Sequence, residues 1–355
     1  MKQFDIAAIR LKNQQLTRPE FDSPKKLVSH FGAIQAQDYP MSKWAIGARV
    51  PGTNDSENEK ALDDGKIIRT HVLRPTWHLT AAEDIRWMLE LTSKTILRQF
   101  NGMNARLGLD AATFSKSTGL IVRALESGNH LTRDELVGIL NQHGIKTNEY
   151  RSLHILAHAE LHSIICSGKR KGKHHSYALM DQRVKKGKPF DREEALAELA
   201  KRYFTSHGPA TLRDFVWWSG LSVTDAKRAV ELNAKKFAVK EYEGQTYYWK
   251  ESATAEMPET VLLLPAFDEY LIAYKDRTAA IHTDHMPKAF TSNGIFKPVI
   301  VVNGQVVGIW KRTVKKDKVL IGPMYLQKVS KMIEIKVAKA AKQYGEFLGA
   351  YIEVG

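Results

Sequence analysis

The chain has little cysteine, few acidic residues relative to basic ones, and no long apolar run. Cys166 is the one cysteine among 355 residues, so no disulfide can form within the chain, which fits a reducing cytosol. A membrane-spanning helix needs about 18 or more apolar residues, and no such run occurs. There is no glycine-rich phosphate loop, and the charged N-terminus does not resemble a secretory signal. We therefore expect a cytoplasmic protein.

Basic residues outnumber acidic ones in total, and they recur along the whole chain. Lys and Arg total 53 against 39 Asp and Glu, which gives a net charge of +14 and a sequence pI of about 9.6. This balance favours a polyanionic partner, namely DNA, RNA or an anionic membrane surface. A basic enzyme with no polymeric partner remains open on charge alone.

Helix-start signals recur along the first two thirds of the chain. The stretch "DSPKKLVSHF" places Pro24 in a first helical turn. Capping boxes are predicted at Thr132 with Glu135 and at Thr211 with Asp214. A further helix is expected to start at a capping pair of Thr80 with Glu83. The stretch "GPATLRDFVWWSGLSVTDAKRAVEL" has the pattern of two helices joined by a tight, glycine-containing turn.

Each helical block is followed by sequence typical of strands. The three such stretches are "KIIRTHVLRPTWHLT", "SGKRKGKHHSYALM" and "FAVKEYEGQTYYWKE". Two helices followed by a hairpin is the winged-helix order. Beyond residue 257 the chain is rich in strands, with a hairpin predicted at Asn303-Gly304. The prediction is an α+β protein with three tandem winged-helix units and a β-rich C-terminal domain. The predicted units are 1–120, which includes helices following the first wing, 121–192, 193–256 and 257–355, with a linker over Ser252 to Thr260.

Two glutamines stand out in "GAIQAQDYP", residues 32–40. On a helix, Gln35 and Gln37 would point about 200° apart, whereas in an extended segment they would point to one side. Because Pro40 disfavours helix at Tyr39, we expect the chain to be extended here and both amides to converge. Such a pair can hold a water molecule but cannot take up a proton near neutral pH. The alternative is that Gln35 caps a helix end and Gln37 is solvated.

Seven stretches, in order and spanning nearly the whole chain, resemble the bacterial winged-helix DNA glycosylases of the AlkZ type. They are "GAIQAQDYP" with Trp44 downstream, "RTHVLRPTWHLTAAED", "LTRDELV", "ICSGKRKGKHHSYALMDQRV", "HGPATLRDFVWWSGL", "LLPAFDEYLIAYKDR" and "NGIFKPVIVVNGQVVGIWKR". The resemblance implies a Gln-x-Gln catalytic element, which falls on Gln35 and Gln37. It also implies double-stranded DNA as the partner and a nucleoid-associated location.

The chemistry of two amides fits one substrate class. A purine alkylated at N7 or N3 is already cationic, so its glycosidic bond needs little acid assistance. The enzyme must still stabilise the sugar, which has oxocarbenium character, and place a water molecule at the anomeric carbon. Correctly positioned amides can do both. The resemblance therefore implies a monofunctional DNA glycosylase acting on cationic alkylated purines, including those in interstrand crosslinks, with no metal, cofactor or covalent intermediate. The alternative is a non-catalytic winged-helix DNA-binding protein, such as a regulator or chromosome-associated protein.

Three groups of residues are candidates for contact with DNA. The basic residues of the second wing either lie along DNA phosphates or are only solvated. Lys311 and Arg312 allow the same two interpretations. A hairpin supplies the third group. The candidate residues are Lys169, Arg170, Lys171, Lys173 and His174 on the second wing, Arg74, Trp77 and His78 on the first hairpin, and Lys311 and Arg312 near the C-terminus.

Three further patterns have a structural and a functional interpretation. His154, His158 and His162 share one helix face, which suits zinc, but the apolar residues between them favour a packed helix, and no metal is predicted. Trp217-Trp218 is expected in the core rather than as a base-stacking platform. Asp268 is expected to pair with Arg277 as a structural ion pair, the alternative being a contact near the lesion. No protein partner is inferred.

Overall fold

The computed structural model describes residues 5–187, 189–251, 258–316 and 318–355. Its helices are α1 (Ile6–Asn13), α2 (Pro24–Phe31), α3 (Tyr39–Gly47), α4 (Asp55–Asp63), α5 (Ile85–Arg106), α6 (Ala111–Leu125), α7 (Arg133–Gln142), α8 (Arg151–Leu161), α9 (Met180–Arg183), α10 (Arg192–Ser206), α11 (Leu212–Ser219), α12 (Val223–Glu231), α13 (Glu269–Ile272), α14 (Met286–Ala289) and α15 (Lys331–Leu348). Its strands are β1 (Ile34–Gln35), β2 (Ile67–His71), β3 (Trp77–Ala81), β4 (Leu131–Thr132), β5 (Ile165–Ser167), β6 (Ser176–Leu179), β7 (Ala210–Thr211), β8 (Ala238–Tyr242), β9 (Gln245–Trp249), β10 (Val261–Leu264), β11 (Val299–Val302), β12 (Gln305–Val314), β13 (Lys318–Tyr325) and β14 (Tyr351–Val354).

The same succession of elements occurs three times. A helix, a short strand, two helices and a two-stranded hairpin follow one another from α2 to β3, from α6 to β6 and from α10 to β9. In each repeat the short strand pairs with the last strand of the hairpin, giving the orders β1-β3-β2, β4-β6-β5 and β7-β9-β8. This is the order expected for winged-helix units, and α5 separates the first repeat from the second.

Local sequence signals account for several of these boundaries. Both capping boxes form, with Thr132 and Glu135 at the start of α7 and Thr211 and Asp214 at the start of α11. Gly220 ends α11 in the left-handed conformation, at φ 68°. The expected start at Thr80 is wrong, because Thr80 lies in β3 and α5 begins only at Ile85.

The predicted domain limits fit the elements unevenly. The limit at residue 120 falls inside α6, which starts at an Asp110 cap and continues to Leu125 without interruption. The limit at residue 192 falls on the first residue of α10. Most of the predicted linker, residues 252–257, and the limit at 256 lie outside the described residues. The domain limits therefore stay predictions.

The C-terminal part is a five-stranded sheet in the order β10-β11-β12-β13-β14. Helix α15 packs against it through Val337, Ala341 and Tyr344, which share an apolar core with Trp310. Helix α1 also belongs to this region, because Leu11 is buried in the same cluster as residues of β10 and β11. Among the described residues, no helix is long and apolar enough to cross a membrane.

A buried ion pair joins the first repeat to the C-terminal part. The guanidinium of Arg49 donates from Nη1 and Nη2 to the two carboxylate oxygens of Asp268, at 2.9 and 2.7 Å, and both side chains are 1% exposed. The expected pairing of Asp268 with Arg277 is therefore wrong. Asp268 caps α13 and its carboxylate faces Arg49, whereas Arg277 donates from Nε to the carbonyl oxygen of Leu271.

Candidate active site

The two glutamines follow the end of α2 in an extended segment. Gly32 ends the helix at φ 80°, and β1 then pairs with β3, which sets Gln35 opposite His78. Gln35 is 3% exposed, whereas Gln37 is exposed to solvent. The two amides therefore differ in their access to solvent, because pairing of β1 with β3 leaves Gln35 almost buried while Gln37 is exposed. Their joint presentation to DNA stays a prediction.

The side chain and the backbone of Gln35 are both held by hydrogen bonds. Its Oε1 accepts from Nη2 of Arg74 at 3.3 Å and from Oγ1 of Thr76 at 3.4 Å. Its backbone N–H donates to Oε1 of Glu269 at 2.7 Å. Gln35 is thus fixed between the loop that precedes β3 and the C-terminal part of the chain.

Glu269 is a buried carboxylate, 1% exposed, that gathers three donors. Besides Gln35, its Oε2 accepts from Nε1 of Trp218 at 3.1 Å and from Nε2 of His207 at 3.2 Å. Burial lowers the pKa of His207, so this ring is neutral at physiological pH and donates through Nε2–H. The carboxylate therefore holds β1, α10 and α11 in one arrangement.

The segment after Gln37 leads directly into a helix. Asp38 caps α3 by accepting from the backbone N–H of Met41 at 3.1 Å, and Pro40 lies in the first turn, where proline is compatible with a helix. The extended segment expected here includes Gln35 but ends before Tyr39, which is the first residue of α3 although Pro40 disfavours helix there. The cap also fixes the side chain of Asp38 and leaves Gln37 as the exposed residue just before the helix.

The hairpin residues differ in their access to solvent. Arg74 and Trp77 are half-buried, and the guanidinium of Arg74 lies 5.7 Å from the ring of Trp217. His78 is fully buried, and its Nδ1 donates to the carbonyl oxygen of Thr76 at 2.9 Å. Burial also holds the pKa of His78 well below its usual value. The expected contact of His78 with DNA is therefore wrong, because β3 places this ring in the interior.

The second wing, between β5 and β6, carries exposed side chains, some with and some without an ion pair to another described residue. Lys169, Lys173 and His174 are exposed. Lys171 is exposed too, but its Nζ contacts the carboxylate of Glu135 at 2.9 Å. The structure thus leaves three of these four side chains available to an external partner without breaking an ion pair.

Arg170 connects the wing to the first repeat. Its Nη1 lies 3.3 Å from Oε2 of Glu59, and its backbone N–H donates to Asp63 at 2.8 Å. Its guanidinium also lies 5.3 Å from the ring of Tyr39, which the ring of His175 contacts at 4.4 Å. The wing therefore packs beside the segment that carries Gln37.

A third basic element reaches the same segment from the C-terminal sheet. Nη2 of Arg312 lies 3.9 Å from Oδ1 of Asp38, and Lys311 beside it is exposed. Arg170 of the wing and Arg312 of β12 therefore both lie close to the residues that follow Gln37, at Tyr39 and Asp38. Gln37 is thus an exposed amide next to two residues that contact basic side chains of the wing and of β12.

Known proteins resemble this chain in sequence and in fold. The family description "DNA glycosylase AlkZ-like" matches residues 28–347. The chain belongs to the AlkZ-like DNA glycosylase family. It is 23% identical over 332 residues to the interstrand DNA cross-link repair glycosylase of Streptomyces sahachiroi, and the alignment covers 86% of each chain. The solved structure of Streptomyces sahachiroi DNA glycosylase AlkZ matches with a TM-score of 0.81 at 20% identity, covering 99% of this chain and 98% of that chain, which shows the shared fold.

Membership in the AlkZ-like family supports a glycosylase over a non-catalytic DNA-binding protein. Among the described residues, no group of three or more His, Cys, Asp or Glu side chains is placed to hold a metal ion, and this includes the three histidines of α8 and its end. His154 instead lies 2.6 Å from Oδ1 of Asn104, and His158 stacks on Phe114 with ring centroids 4.0 Å apart. These contacts agree with a packed helix.

Two tryptophans and one buried carboxylate lie close to the residues that hold Gln35. Trp218 is buried, as expected, but Trp217 is only half-buried, with Nζ of Lys275 at 4.7 Å and the guanidinium of Arg277 at 5.5 Å from its ring. Glu269 lies in the stretch "PAFDEY", but the sequence alone assigned it no role. Its link to Gln35 spans 234 positions, and no local signal indicates it.

Proposed function

We propose that the chain hydrolyses the N-glycosidic bond of cationic, N-alkylated purines in double-stranded DNA, including purines joined in interstrand crosslinks. The crosslink part rests on the Streptomyces relative, which is an interstrand DNA cross-link repair glycosylase. The observation that carries the proposal is Gln37, an exposed amide on an anchored segment whose next two residues contact Arg312 and Arg170. We further propose that the enzyme is monofunctional, so that it leaves an abasic sugar.

The reaction needs position more than acid or base. The carbon–nitrogen bond at C1′ breaks, its electron pair neutralises the cationic base, and the oxygen of water bonds to C1′. The water proton passes to solvent, because a carboxamide does not accept it near neutral pH. Gln37 directs the water towards C1′, and a fixed dipole costs no reorganisation during the reaction.

Gln35 acts in this proposal through the backbone rather than by touching DNA. Its side chain is held by Arg74 and Thr76, and its N–H by Glu269. These bonds fix the direction in which the next two residues leave β1. Gln35 is therefore a positioning residue, and Gln37 the catalytic one.

The exposed lysines of the second wing and of β12 suit the phosphates of a duplex. Lys169, Lys173 and Lys311 are exposed, and lysine binds phosphate as a point charge whose effect weakens with salt. An exposed amide can reach C1′ of a base that cannot swing fully out of the helix, as in a crosslink. Arg74 lies further in, beside Trp217, and is proposed to contact the damaged strand.

A substitution at Gln37 tests the proposal directly. Gln37→Ala is expected to slow release of 7-methylguanine from methylated duplex by about 100- to 1,000-fold, the usual effect of losing one fixed dipole. Duplex affinity should stay near that of the wild type, because the phosphate contacts remain. The measurements are free base by mass spectrometry and binding by fluorescence anisotropy.

A matched variant guards against a general effect of removing an amide. Gln142→Ala, at the exposed end of α7, should release base at the wild-type rate. Wild-type release by Gln37→Ala would refute the assigned role, and absence of release by the wild-type protein itself would refute the proposed function.

A further inference from the structure

A cavity of about 300 Å³ lies between the first and second repeats, beside the segment with the glutamines. It is within the range of small-ligand pockets, about 300 to 1,000 Å³. Its walls come from β2, β3, the start of α7, α8 and the second wing. Arg69, Trp77, Asp134, Glu160 and Ser167 are among the residues that line the cavity.

The cavity adjoins the proposed catalytic segment through two of its wall residues. Arg69 donates from Nε and Nη2 to the carbonyl oxygen of Ala36, at 3.2 and 3.1 Å. The backbone N–H of Ala36 donates to the carbonyl oxygen of Trp77 at 2.7 Å. Ala36 stands between the two glutamines, so the walls of the cavity and the exposed amide of Gln37 belong to one small region.

Glu160 has a carboxylate oxygen without a partner. The side chain is 0% exposed, and its Oε2 contacts Nδ1 of His71 at 2.5 Å. Its Oε1 is buried and makes no hydrogen bond within the described part of the chain. A buried carboxylate oxygen left unpaired is costly, by about 1 to 3 kcal/mol or more for a charged group, unless a ligand supplies the donor.

Arg69 adds a donor to the same cavity. Burial lowers its pKa to about 10, so the guanidinium stays charged at neutral pH. The bonds to Ala36 use Nε and Nη2, and Nη1 has no partner among the residues that the structure describes. The cavity therefore offers a carboxylate acceptor and a guanidinium donor, with the indole of Trp77 in its wall.

We propose that this cavity binds an extrahelical guanine base, with Glu160 accepting from N1–H and N2–H and Arg69 donating to O6. Guanine presents two adjacent donors and a carbonyl acceptor on one edge, and enzymes that extrude a base read that edge by hydrogen bonds. Adenine presents one donor group there and no carbonyl. All three groups persist after alkylation at N7, so the pocket suits single N7-alkylguanine lesions.

The proposed pocket depends on the proposed function in one respect only, namely that the guanine it binds is alkylated. A crosslinked guanine is tethered to both strands and cannot enter the cavity, so the two kinds of lesion separate. Glu160→Gln places a donor where guanine also donates. It should therefore lower 7-methylguanine release, measured relative to crosslink unhooking by the same preparation, by about tenfold, equivalent to about 1.4 kcal/mol.

A binding measurement tests the pocket without catalysis. Calorimetric titration with 7-methylguanosine should detect binding to the wild-type protein. For Glu160→Gln the dissociation constant should be roughly tenfold higher. Adenosine should bind more weakly than guanosine. Glu90→Gln, an exposed carboxylate on α5, is the matched control and should bind like the wild type.

A second variant keeps the test valid if Glu160→Gln fails to fold. Asp134 is exposed, lines the cavity at its rim, and is not bonded to Glu160 or His71. Asp134→Trp should obstruct entry and weaken 7-methylguanosine binding.

The outcomes distinguish this pocket from the proposed function. Base release by the wild type, with an unchanged release ratio and nucleoside binding in both variants, would overturn the pocket and leave the glycosylase intact. No base release from any duplex, together with nucleoside binding that Glu160→Gln weakens, would overturn the proposed function and keep the guanine pocket. Equal binding of adenosine and guanosine would overturn the guanine assignment.

Discussion

Glu269 shows how one buried carboxylate can organise a site that it does not enter. Its two oxygens accept from Gln35, Trp218 and His207, which come from three different elements. Hydrogen bonds to a charged group are stronger than neutral ones, and burial strengthens them further. The position of Gln37, two residues after Gln35, therefore depends on this carboxylate.

Replacing Glu269 by glutamine should expose that dependence. The new amide directs an NH₂ group towards existing N–H donors, and a buried donor without an acceptor costs about 1 to 3 kcal/mol. Glu269→Gln should lower both the free energy of unfolding and the rate of base release, with duplex affinity little changed. Urea unfolding and the base-release assay measure these quantities.

The exposed Glu251→Gln serves as the comparison at the same charge change and should behave like the wild type. Unaltered unfolding and base release in Glu269→Gln would mean that the carboxylate does not hold the segment in place.

At the scale of elements, the second wing carries cations that form ion pairs within the protein and cations for which the described residues offer no ion pair. Lys169 and Lys173 are exposed, whereas Arg170 and Lys171 contact Glu59 and Glu135. The exposed pair alone should be able to replace counterions on DNA. Neutralising one phosphate contact changes the slope of log affinity against log salt by about 0.9.

The double variant Lys169→Glu/Lys173→Glu should therefore weaken binding for every duplex sequence and reduce the magnitude of that slope by about 2. Lys94→Glu on α5 is the control for net charge at an exposed position. Equal slopes in wild-type protein and double variant, measured by anisotropy across a salt series, would remove the wing from the interface.

The sequence predicts elements well where the signal is local. The capping box of Thr132 and Glu135 and the turn at Asn303-Gly304 need only neighbouring residues, and both form as expected, with Asn303 and Gly304 at positive φ. The burial of Gln35 and His78 was missed because it follows from the pairing of β1 with β3 across more than 40 positions. Which strands pair is decided by the packing of the whole fold, so the residues near Gln35 and His78 in the chain do not indicate it.

At the scale of the whole molecule, the pair of Arg49 and Asp268 links the first repeat to the C-terminal sheet. Arg49 also donates to the backbone oxygen and Oε1 of Gln14, each at 3.0 Å. Both charges are almost fully buried, so neither can be solvated if the other is removed. The sequence favoured Arg277 for Asp268 because it is near in the chain, but helix α13 directs the carboxylate elsewhere.

Asp268→Asn should destabilise the protein by about 3 to 5 kcal/mol, the usual cost of leaving one buried charge without its partner. The free energy of unfolding in urea is the measurement. Asp284→Asn, whose side chain is 82% exposed, should unfold like the wild type. A similar midpoint for all three proteins would show that the pair contributes nothing to holding the two parts together.

The acceptor for the backbone of Gln35 lies in the last third of the chain, at Glu269. A shortened gene product that stopped before residue 258 would retain all three repeats and both glutamines. It would nevertheless lose the group that orients them. Fragment complementation, in which the missing part is supplied as a separate polypeptide, should restore base release only when the added piece carries Glu269.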